Sequence, residues 1–344
     1  MKIKNLALAS LFGLFMILAG HIQALAQSAD SFLGIWALDL DYESSNAGWI
    51  EITQEDGYLD ASVLWSGGSV NPVEFVFTAE NHLIITRSNI LIREKDDAGK
   101  PVKEHRQIFW YDIQKEGSDM LSGRRFSPNA NGIGVEVVSF TGKRIPPVPP
   151  APDLGNLKYG KRIKLLNDKD LSGWELLEPN SVSGWKVIDG VLENDPVQKE
   201  GEPHIHYGNL RTTETFEDFN LKLEVNVPEG SNSGVYLRGI YEVQVMDSYG
   251  KPLDSHNMGA LYSRIVPLLA AEKPAGEWQK MDITLYKRHL TVLLNGKMII
   301  NNQPVKGVTG EAMTADEFIP GPIYLQGNHG KVSYRNIVLI PIKD

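Results

Sequence analysis

The sequence contains no cysteine. This absence excludes disulfides, thiolate nucleophiles, cysteine metal ligands and lipid attachment to cysteine. Glycine-rich phosphate loops and the Gly-x-Ser-x-Gly turn of serine hydrolases are also missing. Beyond the N-terminal segment, no apolar run approaches the roughly 20 residues of a membrane helix. Packing alone must therefore stabilise the fold, and the chemistry must come from residues other than thiols.

The first 26 residues have the pattern of a secretory signal peptide. Lys2 and Lys4 precede an apolar run at 6–19, and Ala-Leu-Ala at 24–26 supplies the small residues that signal peptidase prefers. We expect cleavage after Ala26 and a periplasmic or secreted protein. Cleavage removes two lysines and no acid, so the formal charge of −9 becomes −11. Such a surface repels phosphate backbones and anionic lipids, which argues against nucleic-acid and membrane partners. No protein partner is predicted.

Five prolines within residues 146–152 predict a stiff, extended connector. We place a linker at 146–157, between a first domain at 28–145 and a second at 158–344. In both domains, short runs rich in Val, Ile, Tyr, Phe and Trp alternate with Gly, Asn and Asp. This pattern predicts an all-β protein.

The first domain is predicted to be a small lipocalin-like β-barrel, because its short runs resemble successive hairpins. Gly34-Ile35-Trp36 resembles the Gly-x-Trp of lipocalin-like barrels, although a core tryptophan in any β meander fits as well. In the second domain, the dipeptides Asp189-Gly190 and Asn295-Gly296 predict tight hairpins. About ten strands there predict a concanavalin-like jelly-roll β-sandwich.

Apolar and polar side chains alternate along residues 231–247, which predicts a hairpin with one face in the core. The other face would carry an acid, a base, an amide and a phenol. A ligand site and a solvent-facing sheet surface both fit this pattern. The same alternation recurs at 221–227 and 323–326, and we expect these strands to extend the polar face into one patch.

Two incomplete sets of metal ligands are present. His204 and His206 lie on one side of a predicted strand, and Asn167, Asp168 and Asp170 share a turn. Zinc needs three or four ligands and calcium six to eight oxygens, so neither set is sufficient alone. A divalent metal stays a hypothesis, and no organic cofactor is expected.

Six blocks in one order resemble the 3-keto-disaccharide hydrolase domain, a bacterial family similar in fold to concanavalin and laminin-G jelly rolls. The blocks lie at 165–174, 185–192, 232–247, 259–262, 274–278 and 321–326, and the resemblance covers roughly residues 160–342. It implies an exported hydrolase that cleaves the glycosidic bond of sugars oxidised at C3. A non-catalytic carbohydrate-binding jelly-roll protein of the cell envelope is the alternative.

A ketone at C3 acidifies the C2 proton, so that a base can remove it and expel the C1 substituent before water adds back. This route needs a base near C2, a donor or cation at the enolate oxygen, and an acid for the leaving oxygen. A carboxylate pair acting directly on the glycosidic bond is the ordinary alternative.

The resemblance implies roles for particular residues. Glu242 is the predicted base or metal-binding carboxylate, and Arg238 would hold the enolate or pair with Glu242. His329 is predicted as acid, base or ligand. The predicted substrate-binding residues are Gln244, Asp247, His256, Tyr262, Arg264, Gln326 and Glu224, with Glu224 also a reserve acid.

Overall fold

The computed structural model describes residues 29–41 and 47–343. The predicted signal segment and its cleavage site lie outside these residues. Almost all regular structure in the described part is β-strand, so the all-β prediction is confirmed. Within the same residues, no helical segment has both the length and the apolar character of a membrane span.

Contacts along the chain divide it into two compact units. The described residues of the first unit are 29–41, 49–63 and 71–145. Those of the second unit are 47–48, 64–70 and 146–343. The segment at 64–70 thus clusters with the second unit, although it precedes the prolines in the sequence.

The first unit is built on one nine-stranded sheet with the order β4-β3-β2-β1-β9-β8-β7-β6-β5. Trp36 is fully buried, and its indole nitrogen donates to the Phe32 carbonyl over 2.8 Å. Neighbours in this order are mostly neighbours in the chain, as hairpins require. The strands are β1 (Gly34–Leu40), β2 (Ala47–Gln54), β3 (Leu59–Leu64), β4 (Asn71–Pro72), β5 (Phe75–Ala79), β6 (His82–Lys95), β7 (Pro101–Lys115), β8 (Met120–Pro128) and β9 (Val135–Arg144).

The second unit contains two antiparallel sheets. A 3₁₀ turn at Leu154–Asn156 precedes its strands. The strands are β10 (Lys158–Tyr159), β11 (Ile163–Lys164), β12 (Trp174–Leu176), β13 (Trp185–Ile188), β14 (Val191–Asn194), β15 (Leu210–Thr212), β16 (Phe219–Asn226), β17 (Asn232–Leu237), β18 (Tyr241–Met246), β19 (Trp278–Tyr286), β20 (His289–Leu294), β21 (Lys297–Pro304), β22 (Tyr324–Leu325) and β23 (Val332–Lys343).

The larger sheet has the order β13-β14-β23-β16-β19-β20-β21, with β10 and β11 also paired to β23. The smaller sheet has the order β12-β15-β22-β17-β18. Two antiparallel sheets with these crossovers confirm the predicted jelly-roll sandwich. The smaller sheet carries the residues of interest, because the hairpin of residues 231–247 forms its β17 and β18.

The two predicted tight hairpins are present. Asp189 and Gly190 join β13 to β14 with φ values of 50° and 79°, and Asn295 and Gly296 join β20 to β21 with 52° and 81°. Two successive positive φ values match the right-handed twist of the flanking strands. The turn type sets the register of the two strands that each turn joins.

Candidate active site

The polar face of the β17–β18 hairpin is buried. Val235 and Val243 point into the core as predicted, but Tyr236 and Glu242 on the opposite face are only 0% and 3% exposed. The segment at 259–262 pairs with the edge of β18, since the Tyr262 amide donates to the Glu242 carbonyl over 3.0 Å. Buried polar groups require hydrogen-bond partners. The polar face of this hairpin is therefore part of the protein interior and is not a surface in contact with bulk water.

A cleft with a cavity volume of about 60 Å³ opens beside this face. Its lining combines two carboxyl groups, two phenols, two amides and an imidazole with two backbone segments. The lining residues are Gly68, Asn232, Tyr236, Glu242, Tyr262, Gly310, Glu311, Gln326 and His329.

Glu242 lies opposite Tyr236 in the hairpin register, and its Oε2 is 2.8 Å from the Tyr236 hydroxyl. Burial raises the pKa of Glu242 to about 8, against the lowering effect of the Tyr236 hydrogen bond, and the charge of Glu311 adds to the rise. Glu242 is therefore mostly protonated at neutral pH.

The contacts of Tyr236 agree with a protonated Glu242. The Tyr236 hydroxyl lies 2.8 Å from Glu242 Oε2 and 2.7 Å from the Gly310 carbonyl oxygen. A phenol carries one proton, and a backbone carbonyl can only accept. Both contacts are satisfied when Tyr236 donates to Gly310 and the Glu242 carboxyl proton is donated to Tyr236.

Glu311 supplies the second carboxyl group of the cleft. Its Oε2 accepts from Gln326 Nε2 at 2.9 Å and from the Tyr324 hydroxyl at 3.3 Å. Tyr324 stacks on Tyr236 with ring centroids 4.1 Å apart. Sequence reasoning missed Glu311 because it lies in the irregular segment between β21 and β22, where no alternation assigns a side chain to a face.

Two amide oxygens of the cleft are buried without a hydrogen-bond partner among the described residues, Gln326 Oε1 and Asn232 Oδ1. The orientation of the Gln326 amide is fixed, because its nitrogen donates to the Glu311 carboxylate. A buried acceptor without a donor costs roughly 1–3 kcal/mol. Both oxygens are placed to accept from hydroxyl groups of a ligand.

Tyr262 and His329, both predicted site residues, also line the cleft. The exposed His329 has its Nδ1 2.5 Å from the Asn328 side-chain oxygen. His256 lies behind Tyr262, with its ring edge-on to the phenol at 4.9 Å between centroids. One nitrogen of His256 is held by Asp254, and the other contacts Ser69.

Arg238 is not in the cleft, contrary to the predicted facing of its side chain. β17 ends at Leu237, and Arg238 occupies the turn with a φ of 56°. Its guanidinium donates to the carbonyls of Glu317, at 2.8 Å, and Ile319. The alternative pair with Glu242 is not formed either. Arg238 anchors the chain at 317–319 instead.

Four other predicted residues also lie outside the cleft. The Gln244 side-chain oxygen accepts from the Val245 amide at 3.1 Å, and Asp247 accepts from the Gly230 amide at 3.0 Å. Arg264 donates to the Gly307 carbonyl at 3.4 Å. Glu224 lies on β16 of the larger sheet and pairs with Arg335 at 2.7 Å.

The position of Glu224 corrects the prediction of one continuous polar patch. Residues 221–227 belong to the larger sheet, whereas β17, β18 and β22 belong to the smaller one. Alternation assigns a side chain to a face of its strand, but it does not say which sheet the strand joins.

Neither predicted ligand set is joined by a further His, Asp or Glu side chain that would make a group of three such residues in the described part of the chain. The rings of His204 and His206 lie 5.1 Å apart, and Asn167 donates to Asp170 at 2.6 Å within its turn. Among residues 29–41 and 47–343, no group of three His, Asp or Glu side chains is arranged for a metal ion.

Comparison with known proteins identifies a family that this chain resembles. The 3-keto-alpha-glucoside-1,2-lyase-like domain matches residues 161–340, which include every cleft residue except Gly68. A 3-keto-disaccharide hydrolase of Bacteroides thetaiotaomicron is 28% identical over 152 residues, covering 36% of this chain and 52% of that protein. The chain thus spans about half the length of this curated relative.

Two solved structures from Parabacteroides distasonis, both provisionally assigned to the glycosyl hydrolases, are also similar. One is 29% identical, with a TM-score of 0.43 and coverage of 57% of this chain and 93% of the other. The second is 24% identical, with a TM-score of 0.40 and coverage of 52% and 98%. On the match across residues 161–340, the chain belongs to the 3-keto-alpha-glucoside-1,2-lyase-like domain family.

Proposed function

We propose that this protein is an exported hydrolase that cleaves the glycosidic bond of glucosides oxidised at C3. The observation that carries the proposal is the pair of carboxyl groups in one cleft, of which Glu242 is buried with a pKa raised to about 8. Two carboxyl groups in unlike environments can divide the roles of acid and base.

The substrate class follows from the family description, an α-glucoside with a ketone at C3, and from the name of the B. thetaiotaomicron relative. The cleft chemistry is compatible with a sugar. The unpaired oxygens of Gln326 and Asn232 can each accept a hydrogen bond from a hydroxyl group.

In the first step, Glu311 removes the proton at C2, which the neighbouring ketone has made acidic. The electron pair forms a C1–C2 double bond, and the bond from C1 to the glycosidic oxygen breaks. Glu242 donates its proton to the departing oxygen, so the second sugar leaves as a neutral alcohol. Burial supports this role, because it keeps Glu242 protonated at neutral pH.

In the second step, water adds to C1 of the unsaturated ketone. The proton of the water passes to Glu242, and Glu311, whose proton has exchanged with solvent, protonates C2. The products are the 3-keto sugar and the alcohol, so the net reaction is hydrolysis. Both carboxyl groups are back in their starting states.

Incubation with a 3-keto-α-glucoside and with the matching unoxidised glucoside tests the activity. We expect release of the alcohol from the keto substrate alone, with loss of deuterium from a C2-deuterated substrate. Binding without release would leave only a carbohydrate-binding module, and release with full retention of C2 deuterium would exclude elimination.

Export is tested separately, by N-terminal sequencing of the protein from the periplasm or medium of an expressing bacterium. We expect the mature chain to begin at Gln27. An intact N-terminus in the cytoplasm would contradict this part of the proposal.

A further inference from the structure

The proposed elimination places negative charge on the C3 oxygen, and a hydrogen-bond donor there would stabilise it. Arg238 was predicted for this role, but its guanidinium is committed to the Glu317 and Ile319 carbonyls. The donor must therefore come from other residues around the cleft.

A chain of four polar side chains ends at the cleft. His256 Nδ1 lies 2.5 Å from Asp254 Oδ1, and His256 Nε2 lies 2.9 Å from the Ser69 hydroxyl. The Ser69 hydroxyl lies 3.3 Å from the Tyr262 hydroxyl. Tyr262 lines the cleft, whereas the other three side chains stand behind it.

The segment that carries Ser69 is held on two sides by other residues of the second unit. The Val70 amide donates to the Ser263 hydroxyl over 2.9 Å. Gly68 packs so closely on Gly310 that a Cβ atom at Gly310 would lie 2.4 Å from the Gly68 carbonyl oxygen. Ser69 thus has a defined position relative to Tyr262, although the segment lies outside the residues matched by the family.

The far end of the chain is held by a carboxylate. Asp254 accepts from His256 Nδ1, which fixes the imidazole ring and lowers the pKa of Asp254. His256 Nε2 in turn holds the Ser69 hydroxyl, and Ser69 holds the Tyr262 hydroxyl at the cleft. The phenol of Tyr262 carries one proton, which it can donate to an anionic oxygen in the cleft.

Hydrogen bonds in such a chain polarise one another and restrict the position of the Tyr262 hydroxyl. We propose that Tyr262 donates to the C3 oxygen as the enolate forms, and that Ser69 and His256 are positioning residues that orient and polarise this phenol. The proposal rests on the proposed function, and it assigns Ser69, from outside the family domain, to the same site.

Single and double variants of the full-length protein test the chain on a 3-keto-α-glucoside. Tyr262→Phe should lower kcat about 10²-fold, the effect of losing one oxyanion donor. Ser69→Ala should lower kcat about fivefold to tenfold with little change in KM, the effect of one hydrogen bond. Ser69→Thr, which keeps the hydroxyl, should restore most of the rate. Ser66→Ala in the same segment is the matched control.

The decisive measurement is the double variant Ser69→Ala/Tyr262→Phe. If Ser69 acts through Tyr262, the double variant should be no slower than Tyr262→Phe alone. Independent, multiplying losses would overturn the proposal, as would an unchanged kcat in Ser69→Ala or equal losses in Ser69→Ala and Ser66→Ala.

Thermal denaturation of each variant separates these outcomes from misfolding. If Ser69→Ala fails to fold, a double-mutant cycle of His256→Gln and Tyr262→Phe replaces it. This cycle tests the residue that precedes Ser69 in the chain of hydrogen bonds. An inactive wild-type protein would refute the proposed function, whereas an active wild type with multiplying losses would refute only the role of Ser69.

Discussion

Tyr236 and Glu242 face each other across the β17–β18 hairpin, with the phenolic oxygen 2.8 Å from the carboxyl oxygen in a buried setting. Because the Tyr236 proton is needed by the Gly310 carbonyl, the arrangement favours a protonated Glu242. The pKa of Glu242, raised by burial to about 8, gives the same protonation state.

We therefore expect the activity to fall as the pH rises through about 8, because Glu242 then loses the proton it must donate. Glu242→Gln should lower kcat by roughly 10²–10⁴-fold with an alkyl or sugar leaving group. A nitrophenyl 3-keto-α-glucoside is the control, since its leaving group needs no acid and the variant should be nearly as fast as wild type. An equal loss with both substrates would make Glu242 the base instead.

Glu311→Gln should behave in the opposite way. Removing the base blocks cleavage of the C2–H bond, so the loss should be the same for alkyl and nitrophenyl leaving groups. Exchange of the C2 proton with solvent should stop as well. Continued exchange in this variant, measured by NMR in deuterium oxide, would assign the base elsewhere, with the exposed His329 as the next residue to replace.

Glu242 also makes the stability of the fold depend on pH. The folded protein keeps a proton on Glu242 that the unfolded chain releases above its usual pKa of 4.5. The contribution of this retained proton to the free energy of unfolding is complete below pH 4.5. It is lost as the pH rises through about 8, because the unfolded state then binds fewer protons than the folded state.

Urea denaturation at pH 5 and at pH 8.5 measures this effect. Relative to wild type, Glu242→Gln should be more stable at pH 8.5 than at pH 5, because the amide carries no charge to bury. Glu277→Gln, at an exposed position, should leave the difference between the two pH values unchanged. Parallel curves for wild type and Glu242→Gln would contradict the raised pKa.

Gly234 controls the position of the Glu242 carboxyl group. A Cβ atom at Gly234 would lie 2.4 Å from Glu242 Oε1, and the strand backbone there needs no positive φ. Gly234→Ala should therefore displace the carboxyl group and reduce kcat while the protein stays folded. Gly155→Ala, at a glycine that does not line the cleft, serves as the control. Unchanged kinetics in Gly234→Ala would show that the position of Glu242 is not critical.

Arg238→Ala should reduce stability more than turnover. It leaves the buried carbonyl of Glu317 and the partly buried carbonyl of Ile319 without their donor, and a buried acceptor left unpaired costs roughly 1–3 kcal/mol. Denaturation should show this loss, while kcat per folded molecule stays within a few fold of wild type. A stable but inactive Arg238→Ala variant would show that Arg238 takes part in the reaction.

Much of the fold follows from local signals in the sequence. Turn dipeptides such as Asp189-Gly190 require positive φ values that few other pairs adopt, so they place hairpins reliably. Alternation likewise placed Glu242 on the polar side of its strand. Alternation did not predict the facing of Arg238, because side chains alternate between the two faces only while the strand continues. β17 ends one residue earlier, at Leu237.

Two cleft residues that sequence reasoning missed, Glu311 and Gly68, lie in irregular segments. Glu311 and Gly68 reach the cleft through packing between parts of the chain that are far apart in sequence, and no periodicity encodes such contacts. For Glu224, the alternation pattern predicted the strand correctly but not the sheet to which the strand belongs. β16 lies in the larger sheet, away from β17 and β18.

The grouping of residues 64–70 with the second unit has a practical consequence for work on this protein. A fragment cut at the prolines would retain the whole stretch matched by the family, yet it would lack Gly68 from the cleft wall and the hydroxyl beside His256. Boundaries drawn from family similarity alone would thus yield a shortened protein with a gap in the wall of its own cleft.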